Sequence, residues 1–119
     1  MKRRTLRKTR AACEAAFHHH VYVVLLDEKA RKLLKSANPG CRRDKPCVYV
    51  GMSGLMPEER FANHKAGIKA ASIVQRFGIR LIPELFEHLN PMPFEAAATM
   101  ERDLAEDLRR QGFAVAGGS

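Results

Sequence analysis

The feature that most constrains the fold is a pair of short β-branched segments, each holding one of the chain's two tyrosines. The first reads His20-Val21-Tyr22-Val23-Val24 and the second Cys47-Val48-Tyr49-Val50-Gly51. Val and Tyr at this density suit buried strands, where branched and aromatic side chains pack on a pleated surface. Adjacent strands of matched pattern can turn both rings to one face. Between them, residues 27–34 alternate charge with Ala and Leu at helical spacing. Residues 36–46, rich in Asn, Pro, Gly and charge, then read as a loop. After the second strand, Gly51, Ser53 and Gly54 turn the chain.

The remaining sequence alternates helix and strand signals. Pro57 suits the first position of a helix, where its missing N–H is no loss, and Glu58 and Glu59 favour the positive end of the helix dipole. That helix is expected to reach about residue 66, with Gly67 as its stop. A second helical stretch covers 68–77. Residues 79–89 alternate Ile, Leu and Phe with Arg and Glu, predicting a half-buried strand that Pro83 places at an edge or bulge. Residues 94–111 form the strongest helix, closed by Arg109, Arg110 and Gly112. The expectation is an α/β domain over 17–112 with three strands. It is preceded by a basic arm over 1–16 and followed by a short Gly-rich tail over 113–119.

At 119 residues, 45% hydrophobic and 29% charged, the chain has the size and composition of one globular domain. Its longest apolar run, residues 21–26, falls far short of the ~20 residues a membrane span needs, so no membrane partner is expected. Cys13, Cys41 and Cys47 are odd in number and widely spaced, which excludes a disulfide scaffold and fits a reducing compartment. The N-terminus has no apolar core of a secretory signal. The expected location is the cytoplasm, on the nucleoid if the source is bacterial.

Charge narrows the class of partner. Residues 1–46 carry 13 basic and 4 acidic residues, and residues 47–119 carry 8 basic and 9 acidic, so the whole excess of the +8 chain sits in its first part. Such a field draws polyanions, nucleic acid first among them. The candidate contacts are Arg3, Arg4, Arg7, Lys8 and Arg10 in the arm, Arg42 and Arg43 in the loop, and Lys65 on the first long helix.

Two helix faces carry candidate chemistry. Ala97, Glu101, Leu104 and Leu108 share one face of the last helix, and Glu101 is its one charged member. A carboxylate on an apolar stripe must be paired, protonated or bound to a cation. On the earlier helix Arg60 and His64 stand i, i+4 and project side by side. A guanidinium beside an imidazole suits phosphate chemistry, one binding the anion and the other handling a proton. His18-His19-His20 with Cys13, or Cys41 with Cys47, lacks the ligand spacing of a zinc site.

In order, these parts are Tyr in a first strand, Tyr49-Val50-Gly51-Met52-Ser53 in a second, Glu59-Arg60-Phe61-Ala62-Asn63-His64 on a helix, a strand, and Glu101 on the final helix. That series resembles the GIY-YIG nuclease superfamily over about residues 18–112. The resemblance implies a small three-layer α/β/α fold around a central three-stranded antiparallel sheet, and metal-dependent hydrolysis of DNA phosphodiesters. It assigns Tyr22 and Tyr49 to the two motif tyrosines, Arg60 to the phosphate-contacting arginine and His64 to the position that holds His or Tyr. Glu101 becomes the single carboxylate ligand of Mg²⁺ or Mn²⁺. Three departures stand out: His20 replaces the first motif's usual glycine, the segment between the tyrosines is long and basic, and no asparagine follows the last helix. The function expected is a DNA endonuclease of repair or recombination, its specificity supplied by a protein partner or homodimer. The alternatives are an inactive nucleic-acid-binding module of the same fold, or a basic protein that binds an acidic protein surface.

Overall fold

The computed structural model describes residues 17–118. The arm candidates Arg3, Arg4, Arg7, Lys8 and Arg10, and Cys13, lie outside the described residues. Strand β1 (His20–Leu26) leads through a 3-10 turn (Glu28–Ala30), which Asp27 caps by accepting from the Lys29 N–H, into the short helix α1 (Arg31–Leu34). Strand β2 (Cys47–Ser53), helices α2 (Pro57–Ala66) and α3 (Ser72–Phe77), and strand β3 (Gly78–Leu81) follow. Two 3-10 turns (Pro83–Leu85 and Glu87–Leu89) precede helix α4 (Phe94–Arg110) and strand β4 (Ala114–Gly117).

The four strands form one mixed sheet in the order β3-β1-β2-β4. β1 is antiparallel to both β2 and β3, and β4 lies parallel to β2. This corrects the expected three-stranded antiparallel sheet: those three strands are present, and a fourth is added from the segment read as a tail. A parallel strand needs a crossover, and α4 supplies the return leg, turning at Gly112 so that Phe113, Ala114 and Val115 are buried. Ala-Val-Ala-Gly alone is too short and too weakly β-forming to announce a strand. The strand expected over 79–89 ends at Leu81, because Pro83 has no N–H for a ladder and starts a 3-10 turn instead. The helix expected over 68–77 forms only from Ser72, after a turn in which Lys69 adopts a positive φ of 47°.

Both faces of β1 are covered. Val21 and Val23 point one way, Tyr22, Val24 and Leu26 the other, and all five are buried. β3 pairs only the second half of β1, and the first half is completed differently. Ile82 N–H donates to the Val23 carbonyl, and His19 and Met92 exchange both backbone bonds. Between them the Asn90 side chain accepts from Val21 N–H at 2.8 Å and donates to Val21 O at 2.7 Å, standing in for a neighbouring peptide. Asn38 repeats the device on β4. Its amide oxygen accepts from Val115 N–H and its amide nitrogen donates to Val115 O, each at 3.0 Å. Arg109 Nε also donates to the Asn38 oxygen, which fixes the amide's orientation.

Candidate active site

Register brings the tyrosines together. Tyr22 pairs with Gly51 and Val24 with Tyr49, so Tyr22 and Tyr49 fall on one face of neighbouring antiparallel strands. Their ring centroids are 6.2 Å apart. Gly51 keeps the space between them open: a Cβ there would stand 2.5 Å from the Tyr22 hydroxyl and 2.9 Å from a Tyr49 ring carbon. Any side chain would drive the rings apart.

Helix α2 delivers the next two groups. Pro57 opens it, and Gly67, at φ 82°, closes it with its N–H on the carbonyls of Asn63 and His64. His64 is fully buried and rests edge-on against Tyr49, with ring centroids 5.6 Å apart. Its Nδ1 accepts from the Ala71 backbone N–H at 3.1 Å, so that nitrogen carries no proton. In the neutral ring the proton then sits on Nε2, which donates to the Tyr22 oxygen at 2.8 Å. Burial, with the Arg60 charge adding to it, lowers the His64 pKa to about 4 and keeps the ring neutral at physiological pH. Arg60 is half-buried one turn earlier and donates to the carbonyls of Ile68 at 3.2 Å and Lys69 at 2.8 Å.

Glu101 enters from α4 on the stripe with Ala97, Ala105 and Leu108, and is itself only 8% exposed. Burial raises its pKa, against the pull of the Gly118 backbone and the Arg102 charge. The two phenols feel the whole constellation. Burial lifts Tyr22 well above the ordinary phenol value, Tyr49 and Glu101 add to the rise, and Arg60 opposes it. Tyr49 is raised by burial and then by Glu101, again against Arg60. A cation placed among these groups reverses that balance, because it favours the phenolate and the carboxylate together.

Tyr22, Tyr49, Arg60, His64 and Glu101 thus come from four elements, and their charges act on one another. The other candidates lie elsewhere. Arg42 is exposed and forms a two-pronged pair with Asp44, at 2.9 and 2.8 Å. Arg43 is exposed beside α1. Lys65 donates to the carbonyls of Gln75 and Gly78, at 2.8 and 3.0 Å, and so ties α2 to the end of α3. Cys41 and Cys47 are free thiols. Sequence reasoning missed the Ala71 N–H, which sets the His64 tautomer, because a backbone amide leaves no residue signature.

Among the described residues no three His, Cys, Asp or Glu side chains cluster as a metal cage. A lone buried carboxylate fits Mg²⁺ or Mn²⁺ in the way such ions are held beside phosphates, by one or two carboxylates with the remaining positions left to water and substrate oxygens. It does not fit zinc, which takes three or four protein ligands. No helix of the described residues is long and apolar enough to cross a membrane. Comparison with protein-family models, with curated proteins and with solved structures returns no match.

Proposed function

We propose that this chain is a divalent-metal-dependent endonuclease that hydrolyses DNA phosphodiesters. In this reading it is a GIY-YIG-like domain of three α/β/α layers with an added parallel edge strand, acting in the cytoplasm. The observation that carries the reading is the contact of Tyr22 with Tyr49 beside Gly51 and with the neutral His64 ring, with the charges of Arg60 and Glu101 acting on both phenols. A binding module has no use for a buried carboxylate on an apolar stripe, which costs free energy unless something compensates it.

Hydrolysis of a phosphodiester needs an attacking water, neutralisation of charge on the transition state and a stabilised leaving oxygen. A divalent ion on Glu101, when bound, supplies positive charge for the phosphate and the leaving oxygen. Arg60 holds a non-bridging phosphate oxygen, exchanging its exposed carbonyl partners for a stronger, charge-assisted pair. His64 donates to the Tyr22 oxygen, which turns the Tyr22 proton away from the imidazole and lowers the cost of losing it. Tyr22, once its own proton has passed to bulk solvent, receives the proton of the attacking water as a phenolate, and Tyr49 supports it with a hydrogen bond from the same face.

The test is cleavage of labelled duplex, flap and branched DNAs with Mg²⁺ or Mn²⁺ by the wild type and by Glu101→Gln. Glutamine keeps the shape and removes the charge that holds a hard cation. Cleavage is expected to fall by ~100-fold or more, the scale of losing one preorganised charge-stabilising group, while DNA binding persists. The melting temperature is expected to rise, because Gln relieves the buried carboxylate. Unchanged cleavage per folded molecule removes Glu101 from the site. Absence of wild-type cleavage on every substrate, with binding retained, leaves the inactive-module reading in its place.

A further inference from the structure

We infer that the long segment between the two tyrosine strands carries a preassembled phosphate-binding shelf for duplex DNA; this rests on the DNA reading above and extends it to a second contact surface. An open concavity near the Leu26 end of β1 is lined by Glu28, Lys29, Arg31, Lys32, Lys35 and Arg43. Lys29, Lys32 and Lys35 recur every third residue through the 3-10 turn and into α1, a spacing that stacks side chains along one side. Arg43 reaches the same concavity from the loop.

The lining's one acid is neutralised from below. Arg31 is buried, pairs with both Glu28 oxygens and also donates to the carbonyls of Arg42 and Lys45. The pair holds the Glu28 carboxyl below its usual range. The same guanidinium ties the loop that carries Arg43 to the helix that carries the lysines. Lys29, Lys32, Lys35 and Arg43 are left exposed, and none has an ion-pair partner among the described residues. Four like charges crowded on an ordered surface repel one another until a polyanion arrives.

Position favours a duplex over an isolated anion. Leu26 lies four residues along β1 from Tyr22, about 13 Å at the rise of a strand. That is about four steps of 3.4 Å along a DNA strand. A duplex that places one phosphate at Arg60 and runs in the direction of β1 therefore carries its backbone as far as the shelf. A free phosphate or nucleotide would reach only one of the two places.

The experiment measures affinity of the full chain for a 20-base-pair duplex in EDTA, across a salt series. The wild type is compared with Lys29→Gln/Lys32→Gln/Lys35→Gln/Arg43→Gln. A second variant, Arg80→Gln/Arg110→Gln, removes charge elsewhere on the surface. If all four shelf cations meet phosphates, the slope of log K against log salt is expected to lessen by about 3.6 in the shelf variant, so that its affinity falls about 150-fold less than the wild type's between 50 and 200 mM salt. The second variant is expected to keep the wild-type slope. An equal loss per charge removed in both variants, or none in the shelf variant, overturns the inference, as does wild-type preference for an acidic protein over duplex. Metal-dependent cleavage by the wild type with an unchanged shelf slope overturns the shelf alone. Shelf-dependent binding with no cleavage by the wild type overturns the nuclease reading alone.

Discussion

At the scale of single residues, His64 is the group whose chemistry is most tightly fixed. One ring nitrogen is occupied by the Ala71 N–H and the other by the Tyr22 hydroxyl, so protonating the ring forfeits the Ala71 bond inside a buried site. Its pKa falls from 6.5 in the unfolded chain to about 4 in the fold. Below pH 6.5 the unfolded chain takes up a proton that the folded chain refuses. The His64 contribution is therefore full above pH 6.5 and is lost progressively as pH falls toward 4, about 3 kcal/mol in all if only this group is counted. The raised Glu101 works in the opposite sense, since its protonation on acidification relieves the fold. Chemical denaturation at pH 7 and pH 4.5 separates the two. In His64→Gln, whose amide can accept from Ala71 and donate to Tyr22 without titrating, the acid-side loss is expected to shrink by about 2 kcal/mol or more. An unchanged pH dependence would show that His64 titrates like an exposed imidazole. The five candidate residues could be named from the sequence because motif order and helical spacing single out side chains. What tunes them was not legible: the Ala71 amide and the Gly118 backbone act through the main chain, and only the tertiary fold brings them close.

At the scale of elements, legibility tracks how local the governing interactions are. Helix α2 begins at Pro57 and stops at Gly67, as its punctuation predicts, because caps act within one turn. The strand expected over 79–89 failed for a tertiary reason. Its alternation is real, but β1 needed four residues of backbone pairing and then a side chain, and Asn90 serves where Pro83 has ended the ladder. Asn90 holds Val21, the residue next to Tyr22, so the start of β1 and the phenol's position depend on one amide. Asn90→Ala is expected to leave the N–H and C=O of Val21 unpaired and to cost about 2–4 kcal/mol, at 1–3 kcal/mol for each orphaned group with partial relief by water. Amide exchange in the variant, read by NMR, should accelerate at Val21 before it does at Val50. Uniform acceleration across the sheet would mean that Asn90 supports global stability and not this strand end.

At the scale of the whole molecule, the basic excess and the sheet are organised separately. The sheet core is almost wholly apolar, while the cations collect on the segment that links β1 to β2 and in the arm before them. β4 escaped the sequence reading because a four-residue parallel strand earns its place only through a neighbour 67 positions away, Cys47 beside Ala114. That late strand leaves the sheet with an outer margin, and Asn38 occupies it by offering Val115 the bonds that another chain would offer. The asparagine is in effect a dummy partner, and its removal would make the molecule a template for its own kind. Asn38→Ala is expected to remain folded at low concentration and to form dimers or longer assemblies as concentration rises, through β4 margins pairing between copies. Sedimentation over a hundredfold concentration range reads this directly, and a variant that stays monomeric throughout would show that the margin is guarded by something other than Asn38.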